Sequence, residues 1–189
     1  EKQLTKADPL YIRIVPKALK FQSQEVRMSS PQPTGCCPPF DPVPWEDRTF
    51  AWNDKRFIRD RVRTLFYIPL NFGQVIRRMM ARVDRAGAAV PDWLCLADHI
   101  SRWSMDLYLA VDREVEGAEP AALSGEYYSR VYEGDYQETA NWCADYEKQA
   151  AAKGVTVKKL YMWYTTCPKC AKKYGKNYVV ILAEVAKAE

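Results

Sequence analysis

Apolar and polar residues alternate over residues 57–68, with Phe57, Ile58, Val62, Leu65, Phe66 and Ile68 as the apolar members, and this period predicts a strand. Asn71 then stands where a helix would be capped. Phe72, Val75, Ile76, Met79, Met80 and Val83 follow at helical spacing, and Gly87 suits the left-handed cap that ends a helix. Strands are predicted over 94–99 and 105–111. The order then repeats. A strand over 126–132 leads to a turn at Gly134 and Asp135. A helix over 136–153 places Trp142, Cys143, Tyr146 and Ala150 on one face and ends at Gly154, and strands over 160–164 and 178–185 complete the set. Gly87 and Gly154 are 67 residues apart, Leu94 and Leu160 66, and Asp106 and Tyr178 72. This repetition predicts two βαββ units, about 49–115 and 123–186. The fold class is α+β: duplicated βαββ units form one antiparallel sheet, with two helices on one face and a ligand cleft on the other. Alternate residues would line that second face. Trp103, Tyr108, Tyr128, Trp163, Tyr164 and Tyr178 are the aromatic candidates.

The region before residue 49 reads differently. Residues 10–15 form a strand-like run and 18–26 alternate more weakly. Residues 29–44 (SSPQPTGCCPPFDPVP) hold six prolines, whose fixed φ and missing N–H predict an extended strap or linker. Residues 1–48 are therefore separated from a domain at 49–189. Hydrophobic residues make up 48% and aromatic residues 13%, enough for a packed core, so disorder along the whole length is excluded. No apolar stretch approaches the roughly 20 residues a bilayer needs. The 28 basic and 24 acidic residues are too balanced for a nucleic-acid partner. The opening residues show no signal-peptide pattern, which makes the cytoplasm the expected compartment.

Several strings are familiar. LSGEYY at 123–128 and YEGDY at 132–136 resemble the small-Gly-x-Tyr and aromatic-x-Gly-x-Tyr pattern of the DNA gyrase inhibitor-like (GyrI-like) small-molecule-binding family, and DLYLAV at 106–111 resembles its closing strand. GCCPPFDP at 35–42 and TCPKCAKKYGKNY at 166–178 resemble a bacterial subgroup described as GyrI-like or as a hydrolase. The resemblance covers about residues 49–185. It implies a cleft between the two units that takes apolar, often cationic, aromatic compounds, and in some members the hydrolysis of strained electrophilic rings by a carboxylate with aromatic neighbours. Glu133, which precedes Gly134 in the turn motif, joins the expected ligand contacts.

The candidate chemistry follows. Asp106 would face an aromatic cleft, where burial raises a carboxyl pKa and suits it to activate water or neutralise a ligand cation. Glu184 is a second carboxylate on a similar strand but nearer its end, where a solvated edge residue is the stronger reading. Trp103, Tyr108, Trp163 and Tyr178 could hold a flat ligand by stacking and cation–π contact. Cys167 and Cys170 form a CxxC, and Cys36 and Cys37 on the strap could complete a four-thiolate zinc site. The same cysteines could instead be reduced thiols, or a redox pair whose CxxC falls in a hairpin insertion rather than at a helix start. Cys95 and Cys143 read as core residues. His99, the only histidine, cannot build a multi-histidine metal centre, and no glycine-rich phosphate loop occurs. The leading expectation is a binder of a hydrophobic aromatic or cationic molecule, with hydrolysis added; the rival is a thiol or zinc protein. A second copy of the chain is the one protein partner left open.

Overall fold

The structure, a computed structural model, describes residues 37–187; the strand-like runs at 10–15 and 18–26, and Cys36, lie outside the described residues. The chain passes through β1 (Arg48–Leu65), β2 (Ile68–Pro69), α1 (Phe72–Arg85), β3 (Cys95–Ser101), β4 (Ser104–Ala110), β5 (Glu119–Glu133), α2 (Thr139–Ala152), β6 (Val155–Tyr164), α3 (Pro168–Tyr174) and β7 (Tyr178–Lys187). The strands make one antiparallel seven-stranded sheet in the order β2-β1-β4-β3-β6-β7-β5. The α+β reading with βαββ repetition holds: β1-α1-β3-β4 and β5-α2-β6-β7 meet where Ala97 of β3 pairs with Met162 of β6.

The sheet also closes on itself, because β1 pairs with β5 from Arg48 opposite Ser129 to Arg59 opposite Glu119. The same β1 pairs with β4 from Phe57 to Arg63. The strand order therefore forms a ring. β1 and β5 are 18 and 15 residues long, well beyond the expected 57–68 and 126–132. Their extra lengths face each other as a two-stranded ribbon. They carry few buried apolar positions, so their own sequence gives little strand signal. A bulge between Trp52 and Lys55, with Asp54 at φ 50°, bends β1 so that it can serve both neighbours.

Two clusters of buried side chains lie on the two faces. The outer one seats the helices: Val75, Met79 and Val83 of α1 and Trp142, Cys143, Tyr146 and Ala150 of α2 pack on Ile58, Leu107, Met162 and Ile181. Asp60, on the same face of β1, accepts hydrogen bonds from Arg78 of α1 at 2.8 and 2.7 Å and ties helix to strand. Gly87 and Gly154 follow the two helices at φ 59° and 67°, the left-handed conformation the sequence pattern requires. Asn71 occupies the N-cap position of α1, but its Oδ1 accepts from Arg63 N–H at 2.8 Å and bridges back to β1 instead of capping the helix. The second cluster lies on the concave face of the ring.

Candidate active site

Strand alternation sends a set of aromatic side chains inward. β4 contributes Asp106 and Tyr108, β3 Leu96 and Asp98, β6 Lys159, Tyr161 and Trp163, and β7 Val180, Leu182 and Glu184. Tyr108 meets Tyr161 edge-on at 5.9 Å and Phe57 edge-on at 6.4 Å, and Trp52 lies 4.3 Å from the Tyr127 ring. One end of this interior is stopped by the strap. Trp45 packs edge-on against Trp163 at 4.8 Å, and Phe40 touches Trp163 at 5.2 Å and Tyr178 at 5.6 Å. Two backbone anchors hold the strap here: Ser129 Oγ donates to the Trp45 carbonyl at 2.6 Å, and Val131 N–H donates to Glu46 at 2.7 Å.

The charged residues of the concave face form a separate group. Asp106 is buried, and Arg61 donates to both of its oxygens at 2.6 and 3.1 Å. Arg59 adds a third contact at 3.6 Å and pairs with Glu119 as well. Both oxygens of Asp106 are thus committed to guanidinium groups, an arrangement suited to fixing two arginines. Asp98 is buried and Lys159 Nζ stands 2.7 Å from it, 5.1 Å over the Tyr161 ring and 5.9 Å over Tyr108. Burial pushes the Asp98 carboxyl up, and the Lys159 ammonium opposes that shift.

Glu184 has looser company. Its cross-strand partners are Tyr127 on β5 and Lys159 on β6, and its nearest cation is Lys158 at 3.6 Å. The carboxylate is half-buried. Gly125, at φ 126°, presents bare backbone toward it; a Cβ there would stand 3.7 Å from Glu184 Cγ. Burial, with the Glu184 charge nearby, pushes the Tyr127 phenol up to about 12, and burial raises Tyr161 further. Both phenols stay protonated near neutrality and can donate hydrogen bonds.

The expected aromatic set divides between the two faces. Tyr108, Trp163 and Tyr178 do reach the concave face. Trp103 stands outside the ring in the β3–β4 turn, half exposed against Phe66 and Arg102. Tyr128 faces the helices, donating to Asp47 at 2.7 Å beside the Tyr146 ring. Tyr164 also packs on the helix side. Glu133 ends β5 beside Lys176 at 3.9 Å, near the strap end of the ring. Tyr127, Tyr161, Trp52, Asp98 and Lys159 were missed. A strict alternation anchored on Trp163 yields Tyr161 and Lys159 and excludes Tyr164, because neighbouring residues of a strand cannot share a face. Tyr127 and Trp52 depend on the long β1–β5 pairing.

His99 is half-buried on the helix side, its Nε2 3.3 Å from the Tyr164 hydroxyl and its Nδ1 sealed from water. Burial lowers its pKa to about 4, so the ring is neutral under ordinary conditions. Cys143 belongs to the helix-side core and Cys95 packs against it, as expected.

The cysteine motif differs from expectation in its setting. It opens a helix: Cys167 is the N-cap residue in extended conformation, Pro168 the first helical residue, and Cys170 faces inward on the first turn. The sulfurs of Cys37, Cys167 and Cys170 all lie within 4.8 Å of one another and could hold a metal ion. Cys167 N–H points at Cys37 Sγ at 3.4 Å, and Tyr174 of α3 donates to the Cys37 carbonyl at 2.5 Å.

Residues 27–185 match the profile of a family described as bacterial hydrolase. A hydrolase from Listeria innocua resembles the chain in structure with a TM-score of 0.53 at 10% identity, over 75% of this chain and 92% of that one. An EcmrR–DNA complex resembles it with a TM-score of 0.58 at 11% identity, over 76% of this chain and 58% of that one. At these identities the likeness concerns the fold. No curated protein matches the chain. No helix among the described residues is long and apolar enough to cross a membrane.

Proposed function

The chain belongs to the bacterial hydrolase family, and from that premise we propose that it binds a flat hydrophobic molecule against the aromatic concave face and hydrolyses an electrophilic centre in it. The resemblance to the GyrI-like family supports an aromatic ligand. Glu184 is the carboxylate we assign to water activation. The observation that carries this assignment is the contrast between the two acids. Both oxygens of Asp106 are held by Arg61, with Arg59 close by, whereas Glu184 is half-buried with one cation at 3.6 Å, beside bare backbone and the Tyr127 phenol. In the step proposed, Glu184 takes a proton from water as the water oxygen attacks the electrophilic carbon. The carbon–heteroatom bond breaks, the leaving atom accepts a hydrogen bond from Tyr127 and takes up the proton that Glu184 removed from the water, and Glu184 returns to its carboxylate form. Asp106 acts through Arg59 and Arg61, which it positions at the rim. In this reading the thiol cluster holds a structural zinc ion and takes no part in the chemistry.

The test is turnover of an aromatic ester and an aryl epoxide by the full chain. Glu184→Gln removes the base and keeps the shape, and should lower kcat by about 100-fold, within the usual range for a general base. Asp106→Asn should leave kcat within about tenfold, because it disturbs a positioning contact. Equal loss in both variants, or full turnover in Glu184→Gln, would overturn the assignment. Trp163→Ala should weaken ligand affinity; unchanged affinity places the ligand elsewhere.

A further inference from the structure

We infer that Cys37, Cys167 and Cys170 form a zinc-loaded latch that holds the strap in the end of the strand ring, so that loss of the ion opens the aromatic interior. The inference rests on the zinc reading above and adds the control of access.

The ligands come from two places far apart in the chain. Cys37 lies at the start of the described strap, and Cys167 and Cys170 are 130 and 133 residues later, at the start of α3. A tetrahedral zinc ion with Zn–S of about 2.3 Å needs sulfurs about 3.8 Å apart. The three sulfurs are already within 4.8 Å of one another, so closing by about 1 Å is enough. Cys170 is buried while Cys37 and Cys167 are half-buried, which leaves an approach for the ion and for a fourth ligand. The surroundings suit thiolates. Cys167 N–H is directed at Cys37 Sγ, and exposed Lys169, Lys172 and Lys173 on α3 offset the negative charge of a thiolate–zinc centre. Three soft sulfur donors without carboxylate or imidazole select zinc over magnesium or calcium.

The consequence for access follows from what the strap carries. Phe40, three residues after Cys37, packs on Trp163 and Tyr178, and Trp45 packs on Trp163. The Trp45 end is fixed independently by Ser129 and Val131. The Cys37 end is fixed by the cysteine cluster and by the Tyr174 hydroxyl on the Cys37 carbonyl. Releasing the ion therefore frees the Phe40 half of the strap first and uncovers one side of Trp163. Three Zn–S bonds break and three S–H bonds form with no change of oxidation state: zinc leaves to a chelator and the three thiolates take up protons.

The experiment uses the purified full chain. Zinc is counted by comparing native and denatured mass, thiols are counted by alkylation, and access is read by acrylamide quenching of tryptophan and binding of a hydrophobic dye before and after a strong zinc chelator. One zinc per chain, with dye binding rising several-fold on chelation and reversing on added zinc, supports the latch. Cys37→Ser should lose the ion and bind dye constitutively. Phe40→Ala should keep the ion and show raised dye binding without chelator, a control that does not depend on folding of the cysteine variant. A metal-free chain with Cys167 and Cys170 oxidised overturns both the zinc reading and the latch. A zinc-bound chain whose dye binding and quenching are unchanged by chelation overturns the latch alone. Neither result bears on the role of Glu184 as the base, which Glu184→Gln tests separately.

Discussion

Mild acidification should destabilise this protein through a half-buried histidine, apart from what the carboxylates contribute. His99 is the only histidine, and burial lowers its pKa from 6.5 to about 4 in the folded chain. Between those values the unfolded chain holds a proton that the folded chain refuses, so stability rises with pH across this window and falls on acidification. Linkage with these two pKa values gives about 2 kcal/mol lost between pH 7.5 and pH 5. The ring is half-buried, so water can reach part of it, and about 1–2 kcal/mol is the working figure. His99→Gln keeps a polar group near the Tyr164 hydroxyl and cannot titrate. Urea unfolding at pH 7.5 and pH 5 for the natural chain and the variant isolates the effect, because the carboxylates titrate in both. Near-equal stability is expected at pH 7.5, with the variant falling less by about 1–2 kcal/mol at pH 5. Parallel losses would refute the reasoning and mean that the folded protein accommodates charged His99.

Three further outcomes are expected. Trp45→Ala removes a buried indole worth about 4–6 kcal/mol by area, of which the strap recovers part by collapsing, so about 3 kcal/mol should be lost in denaturant unfolding; a loss below about 1 kcal/mol would show that the strap is not part of the fold. Gly125→Ala places a Cβ at φ 126° against Glu184, so thermal unfolding should register about 1–2 kcal/mol of strain and aromatic-ester turnover should fall. Tyr127→Phe should lower kcat by about tenfold with little change in Tm, and an unchanged kcat would remove this phenol from the reaction.

The sequence determined the local elements whose pattern is self-contained. The α1 stripe of Val75, Met79 and Val83, the α2 stripe of Trp142, Tyr146 and Ala150, and the glycines after each helix are short-range signals, and the structure keeps them. The same spacing gave the βαββ repetition. The CxxC and the strap cysteines suggest a shared ion as one reading among several, and Cys37 stands beside Cys167 and Cys170. Three things belonged to the tertiary structure. Ring closure depends on β1 and β5 recognising each other across some 70 residues through backbone hydrogen bonds, which any side-chain pattern permits. The face each aromatic occupies depends on strand register, and a one-residue error exchanges Tyr127 for Tyr128 and Trp163 for Tyr164. The roles of the two acids depend on what stands opposite them. Along the chain Asp106 is the stronger candidate and Glu184 stands near the end of its strand, and only the pairing of β4 with β1 sets Arg61 and Arg59 against Asp106 while leaving Glu184 beside bare backbone and a phenol.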